Sequence, residues 1–168
     1  MVLKRAYKIS QDADKAIEVM HSAAKWMEDS GIHEKHWRSA GMNRKSMLQN
    51  AEESEFYVLL IKGNPAAAAI LQDNQRNQSW KSVDNGKGVQ ALYVHWLCVD
   101  PSYRGIGLPK VLLDFAKKTA MARGLRLLRL DTNAGEPKLM KVYEDAGFEL
   151  IHIEQEGAHK TAFYQKEF

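Results

Sequence analysis

A chain of 168 residues and 19.1 kDa with 45% hydrophobic residues has the length and apolar content of one domain with a single core. Its 24 basic and 21 acidic residues are interspersed and leave a formal charge of only +3, which argues against nucleic acid as a partner. A lone cysteine, Cys98, excludes an internal disulfide, and the absence of a signal-like or membrane-spanning apolar run leads us to expect a soluble cytoplasmic protein that engages no membrane.

Val2 to Ile9 reads as a first strand. Ser10 and Asp12 then offer caps to a helix in which Ile17, Met20, Ala24 and Met27 recur at helical spacing, and Gly31 stops it. Ile32 to Glu53 is polar, with Trp37, Met42, Met47 and Leu48 as apolar anchors, and predicts a short second helix in a mobile connection. Glu55 to Ile61 is a strand, Lys62-Gly63-Asn64-Pro65 a turn, and Ala66 to Leu71 the antiparallel return of a hairpin. Gln72 to Lys87 is rich in Asn, Gln, Ser, Asp and Gly. With Trp80 as its large apolar residue, it predicts a long solvated loop of the kind that serves a binding site.

Ala91 to Val99 is the central strand, followed by a helix over Leu108 to Ala122 with Leu112, Phe115, Thr119 and Ala122 on one face and Gly124 as its stop. Leu125 to Thr132 is the next strand. Pro137 opens another helix that Gly147 ends, and Phe148 to Ile153 and Lys160 to Gln165 supply the last two strands. This order describes an α/β (α+β) fold, a mixed sheet with helices on its faces, and residues 1–168 read as a single domain.

The chemistry is most legible after Val99, where Asp100-Pro101-Ser102-Tyr103-Arg104-Gly105-Ile106-Gly107-Leu108-Pro109-Lys110 takes an extended segment through a turn into a helix. The unpaired N–H groups of a helix start and the positive end of its dipole favour a diphosphate, and glycines let that ligand approach the main chain. Lys110 is placed to reach a phosphate, the alternative being that with Lys117 and Lys118 it is only the solvated side of a helix. The P-loop pattern fails, because Leu108-Pro109-Lys110 follows Gly107 where Lys-Ser/Thr is required, and the dinucleotide fingerprint fails too. On spacing alone, the turn serves either a phosphate ligand or an ordinary strand-to-helix connection.

With its flanks, this segment resembles the signature of the GNAT superfamily of coenzyme-A-dependent N-acetyltransferases, in which a strand leads into Val-x-Pro-x-Tyr-Arg-Gly-x-Gly-hydrophobic-Gly. Downstream, Tyr143-Glu144-Asp145-Ala146-Gly147-Phe148 is similar to that superfamily's second hallmark, Tyr-Glu-x-x-Gly-Phe. The resemblance covers Ala91 to about Ile153 closely and the preceding residues in outline. It departs at Pro109, which replaces a small residue and brings no N–H, and at Glu136, where many relatives carry Asn; Asn133 is the nearby candidate to substitute.

The resemblance implies a GNAT-like, mostly antiparallel central sheet flanked by helices, with the strands Ala91 to Val99 and Leu125 to Thr132 splayed to admit the pantetheine arm of acetyl-CoA, the co-substrate. Arg104, Gly105, Ile106, Gly107, Leu108, Pro109 and Lys110 would hold the pyrophosphate. The main chain of Leu97 and Val99 would pair with pantetheine as in strand addition, and a strand N–H would steady the oxyanion. Tyr143 would protonate the departing thiolate, a phenol with an ordinary pKa of about 10 being protonated at neutral pH; the bland alternative is a tyrosine that only packs its helix on the sheet.

The acceptor implied is a primary amine on a small molecule or peptide: polyamine, amino acid, antibiotic and protein N-terminus stay open. Its site would be formed by Ile32 to Glu53, Gln72 to Lys87 and the C-terminal segment. His95, Glu55 and Asp131 are candidates for the base, each with a packing or hydrogen-bonding alternative. Cys98 has no basic neighbour in sequence to activate it, which favours direct transfer over an acyl-enzyme. His33 and His36 lack further ligands, so no metal is expected. A catalytically silent acyl-CoA-binding or sensing module is the alternative reading, to which Pro109 and Glu136 point. Trp37 and Trp80 are candidates to mark an interface, including that of a homodimer.

Overall fold

The computed structural model describes residues 6–32, 37–73 and 78–168. Packing divides the chain into two units, Met1–Leu71 with Trp96–Leu112, and Gln72–His95 with Leu113–Phe168.

In the first unit, Tyr7–Gln11 (β1) pairs antiparallel with Phe56–Ile61 (β2), which returns through a hairpin into Asn64–Gln72 (β3). Lys62 and Gly63, with φ of 51° and 80°, form the two-residue turn whose twist suits paired strands. Ala13–Asp29 (α1) starts where the Asp12 carboxylate accepts from the Lys15 N–H at 3.0 Å, as the capping residues predict. Ala16, Val19, Met20 and Ala24 on its inner face join Phe56, Val58, Ala68 and Cys98 in one core. Ala66 to Leu71 is buried throughout, which explains an unbroken apolar run in place of alternation. The expected second helix is Arg44–Met47 (α2), and Met42 and Met47 are buried as its anchors. Of the expected first strand, residues 2–5 lie outside the described residues, as do His33 and His36.

Leu92–Val99 (β4) contributes its first half to the second unit and its second half to the first. In the second unit β4 pairs parallel with Leu127–Asn133 (β5) at Leu92↔Leu128 and Tyr93↔Arg129. Among the described residues that register covers these two pairs, and β5 continues to Asn133. β5 pairs antiparallel with His159–Glu167 (β7), and β7 with Glu149–Glu156 (β6), giving the order β1-β2-β3-β4-β5-β7-β6 in a mixed, mostly antiparallel sheet.

Two expectations are corrected in the second unit. The segment 72–87 is not a wholly solvated loop. It holds the short helix Lys81–Asp84 (α3), and Trp80 is 0% exposed, with ring contacts to Phe163 at 5.0 Å and Tyr93 at 5.9 Å. The indole N–H donates to Asp131 at 3.2 Å, and the Arg129 guanidinium lies 4.4 Å from the ring centroid while pairing with Asp84 at 2.9 Å. Polar composition conceals this cluster because its partners are distant in sequence. Trp80 therefore marks no exposed interface, and Trp37 is half-buried, its ring centroid 5.0 Å from that of Trp96 in an edge-to-face contact.

Leu108–Ala122 (α4) has the expected bounds, but Ala122 is exposed, and the buried set is Leu108, Val111, Leu112, Leu113, Ala116 and Ala120. At 3.6 residues per turn, Ala122 lies about 80° round the helix from Leu112. Pro137–Asp145 (α5) follows β5. Among the described residues no helix is long and apolar enough to cross a membrane.

Candidate functional site

The turn after β4 is pinned before it opens. The Asp100 N–H donates to the Ala66 carbonyl at 2.8 Å, and the Asp100 carboxylate accepts from the Ser102 N–H at 3.0 Å, so the chain leaves the sheet through a single turn at Pro101–Tyr103. Arg104 is extended, Gly105 and Gly107 have φ of 78° and 85°, and α4 begins at Leu108. Glycine adopts these angles at little cost, whereas a Cβ at either would be strained. Among the described residues, chain neighbours aside, no heavy atom lies within 4 Å of where either Cβ would stand. The main chain is thus open to a ligand at a helix start. Leu108 is buried and anchors the turn, while Arg104, Gly105, Gly107 and Lys110 are exposed. Pro109 sits in the first turn of α4, where its ring angle suits the helix and its missing N–H subtracts one donor.

Leu97 and Val99, both half-buried, follow an unusual residue: Trp96 has φ of 55° in the middle of β4. A bulky side chain takes this left-handed conformation only when its surroundings hold it, here the half-buried Trp37 and the core of the first unit. Cys98 between them is buried, its sulfur 3.9 Å from the Ala68 carbonyl oxygen, and burial pushes its thiol pKa up. A nucleophilic thiolate needs the opposite environment.

The second hallmark is, physically, a helix stop. The Phe148 N–H donates to the Tyr143 carbonyl at 3.0 Å and the Gly147 N–H to the Glu144 carbonyl at 3.0 Å, with Gly147 at φ 89°. These are the paired bonds of a left-handed cap, and α1 and α4 end alike at Gly31 and Gly124. The cap's apolar contact is the Tyr143 and Phe148 ring pair at 6.3 Å, and the Tyr164 ring stands 5.8 Å from that of Tyr143. Tyr143 is thereby fixed in the last turn of α5, 5% exposed. Its neighbour Tyr164 donates to Glu144 at 3.0 Å, and burial, followed by that carboxylate, raises the Tyr164 phenol to about 12.

The first unit thus holds Leu97, Val99 and Arg104 to Lys110 together, whereas Tyr143 and Asn133 belong to the second. Asn133 ends β5, and its carboxamide oxygen accepts from the Gly135 N–H at 2.9 Å, which shapes the turn into α5; Glu136 occupies the N-cap of α5 without a side-chain capping bond. His95 is half-buried and stacks on Tyr93, with 9° between the rings. Asp131 receives the Trp80 N–H, and Glu55 receives the Glu52 N–H at 2.7 Å. Among the described residues no cluster of His, Cys, Asp and Glu has the makings of a metal site. Two aromatic residues escaped the sequence reading: Trp96, and Trp26, whose ring centroid lies 3.9 Å from the Arg104 guanidinium carbon. No local signal marks Trp26. Nor does one mark Trp96, which stands within the apolar run of β4.

A model of the Acetyltransferase (GNAT) family matches residues 18–148. An uncharacterized N-acetyltransferase of Methanocaldococcus jannaschii is 26% identical over 102 residues, 61% of this chain and 42% of that protein, so the chain matches less than half of that relative's length. Among solved structures, a GNAT-family acetyltransferase of Listeria monocytogenes superposes with a TM-score of 0.75 at 21% identity, covering 96% of this chain and 95% of that one. The PaiA N-acetyltransferase of Thermoplasma acidophilum, solved in complex with coenzyme A, has a TM-score of 0.68 at 17% identity, with 97% and 99% coverage.

Proposed function

The chain belongs to the GNAT acetyltransferase family, and from that premise we propose that it acts as one N-acetyltransferase domain, passing the acetyl group of acetyl-CoA directly to the primary amine of a small molecule or peptide. The observation that carries the reading is the open glycine turn at the start of α4.

In this reading the main-chain N–H groups from Gly105 to Leu108, with Arg104 and Lys110, hold the diphosphate, as a helix start and basic side chains favour a doubly charged anion. Ile106 and Pro109 complete the turn. Leu97 and Val99 offer main-chain groups to the pantetheine amides, with Asn133 adding a side-chain contact. In the transfer, the amine nitrogen attacks the thioester carbonyl carbon, whose oxygen becomes an oxyanion steadied by a strand N–H. The carbon–sulfur bond then breaks, sulfur keeps the electron pair and takes the Tyr143 proton, and nitrogen gives up one proton to solvent or a base. The high thiol pKa that burial imposes on Cys98 supports direct transfer over an acyl-enzyme.

Calorimetric titration of the full chain with acetyl-CoA, followed by thiol release across a panel of primary amines, tests the proposal. Binding and turnover on an amine are expected, with binding lost in Gly107→Val. Normal affinity in that variant overturns the role of the turn. Pro109, which withholds one N–H from the phosphate, is the observation on the side of a silent acyl-CoA-binding module. Binding without turnover on any amine decides for that second reading.

A further inference from the structure

Arg104 is exposed and immediately precedes the glycine turn, yet its guanidinium does not hang in solvent: its central carbon lies 3.9 Å from the ring centroid of Trp26, a half-buried residue of α1. Both residues belong to the first unit. An arginine side chain is long and has many rotamers, a freedom that a ligand must otherwise remove on binding. With the ring on one side of the guanidinium, the N–H groups at its edge remain available to a ligand. Those groups bond phosphate oxygens in a forked pair.

We propose that Trp26 is a positioning residue for the cofactor: its indole is a platform that holds the Arg104 guanidinium ready for the diphosphate of acetyl-CoA. This rests on the assignment of the glycine turn to that diphosphate. Trp26 itself is held firmly enough for the task. It lies in the last turns of α1, where its carbonyl accepts from the capping Ser30 N–H at 3.0 Å and Ile32 N–H closes the helix end on Met27 at 2.8 Å. Neighbouring Glu28 accepts from the Ser39 N–H and hydroxyl, both at 2.8 Å, which ties the following segment to the same helix end. The pairing is specific in chemistry. A lysine at 104 loses the planar fork, and an aliphatic residue at 26 loses the attraction between cation and ring.

The experiment compares the full-length wild type, Trp26→Leu, Trp26→Phe, Arg104→Ala and the Trp26→Leu/Arg104→Ala double variant, with binding of coenzyme A by calorimetry and KM for acetyl-CoA and for S-acetylpantetheine, which lacks the diphosphate. Trp26→Leu is expected to weaken coenzyme A binding about threefold to tenfold, Trp26→Phe to retain most of it, and the effect to vanish in the Arg104→Ala background. KM for S-acetylpantetheine is expected to be unchanged, an outcome that a general loosening of the fold would not give. Equal losses on both substrates, full additivity in the double variant, or tighter coenzyme A binding on loss of the ring would each overturn the proposal, the last by showing that the stack competes with the cofactor. Should Arg104→Ala and Gly107→Val both leave coenzyme A binding intact, the turn itself has been misassigned, a failure distinct from that of the platform.

Discussion

Replacing Tyr143 by Phe removes one oxygen from a side chain whose ring is held by Phe148 at 6.3 Å and Tyr164 at 5.8 Å. Those contacts and the cap bond from the Phe148 N–H to the Tyr143 carbonyl survive the change, so the loss of stability should not exceed about 1 kcal/mol, the net worth of a hydroxyl hydrogen bond. If the phenol donates the proton to sulfur, the deficit appears in kcat. A positioned acid is typically worth about 100- to 10,000-fold, and a thiol with an ordinary pKa of about 8.5 departs tolerably unaided, which places the expected loss near the lower bound, about a hundredfold. KM for acetyl-CoA should move little, because the proton passes only in the transition state. Thiol release at saturating amine, read beside circular dichroism and a melting curve, measures both quantities. A kcat within about threefold of wild type in a protein that melts normally would refute the acid role and leave Tyr143 as packing.

Trp80→Ala empties a fully buried site and deprives Arg129 and Asp131 of a partner, so a loss of about 3–5 kcal/mol is expected from denaturant midpoints; less than about 1 kcal/mol would mean the cluster around it is not a core. The Glu28 carboxyl pKa lies below its ordinary value because the Ser39 N–H and hydroxyl donate to the ionised form. A depressed folded-state pKa stabilises above the unfolded value and ceases to as pH falls through the folded one, so the melting difference between wild type and Glu28→Ala should be present at neutral pH and close in acid, below the ordinary carboxylate range; a difference that persists once the carboxyl is protonated counts against the bond. Native Cys98 should resist alkylation at pH 8 and react once the chain is unfolded, and Cys98→Ala should retain turnover. Loss of turnover there in a folded protein would reopen the acyl-enzyme route.

What the sequence made legible is what local chemistry decides. Asp12 caps α1 and Gly31, Gly124 and Gly147 stop three helices because the bonds concerned reach only a few residues along the chain. The Tyr-Glu-x-x-Gly-Phe pattern is readable for the same reason. Gly147 and Phe148 are the C-terminal cap that fixes Tyr143 in the final turn of its helix, so a structural device and a candidate catalytic residue share one string of letters. The glycine turn at Gly105 and Gly107 is equally local. The segment 72–87 is the opposite case: Trp80 finds Asp131, Phe163 and Tyr93, and Asp84 finds Arg129, all across the unit and none visible from a composition rich in Asn, Gln and Ser. The outward face of Ala122 shows a smaller version of that limit, since the last turn of a helix is placed by what it packs on and not by its own spacing.

Trp96 fails differently, and more usefully. No rule of propensity places tryptophan at φ 55°, a conformation that costs an ordinary residue roughly 1–2 kcal/mol and that turns, glycine and asparagine normally share. The cost is met by packing, since the indole is half-buried against Trp37 and the first core. Conflict between local preference and adopted conformation is expected where a chain serves something besides its own stability. Here it falls directly before Leu97 and Val99, whose main-chain groups are proposed to receive pantetheine. A left-handed residue interrupts the extended run that would otherwise keep successive N–H and C=O groups committed to neighbouring strands, which is what an exposed pairing edge needs. Changing Trp96 to Gly removes strain and packing together. If the conformation serves the site, that variant should keep coenzyme A binding despite reduced stability, whereas Trp96→Val, which favours a regular extended strand, should lose binding; the reverse order would mean that the bend is only a consequence of where the indole packs.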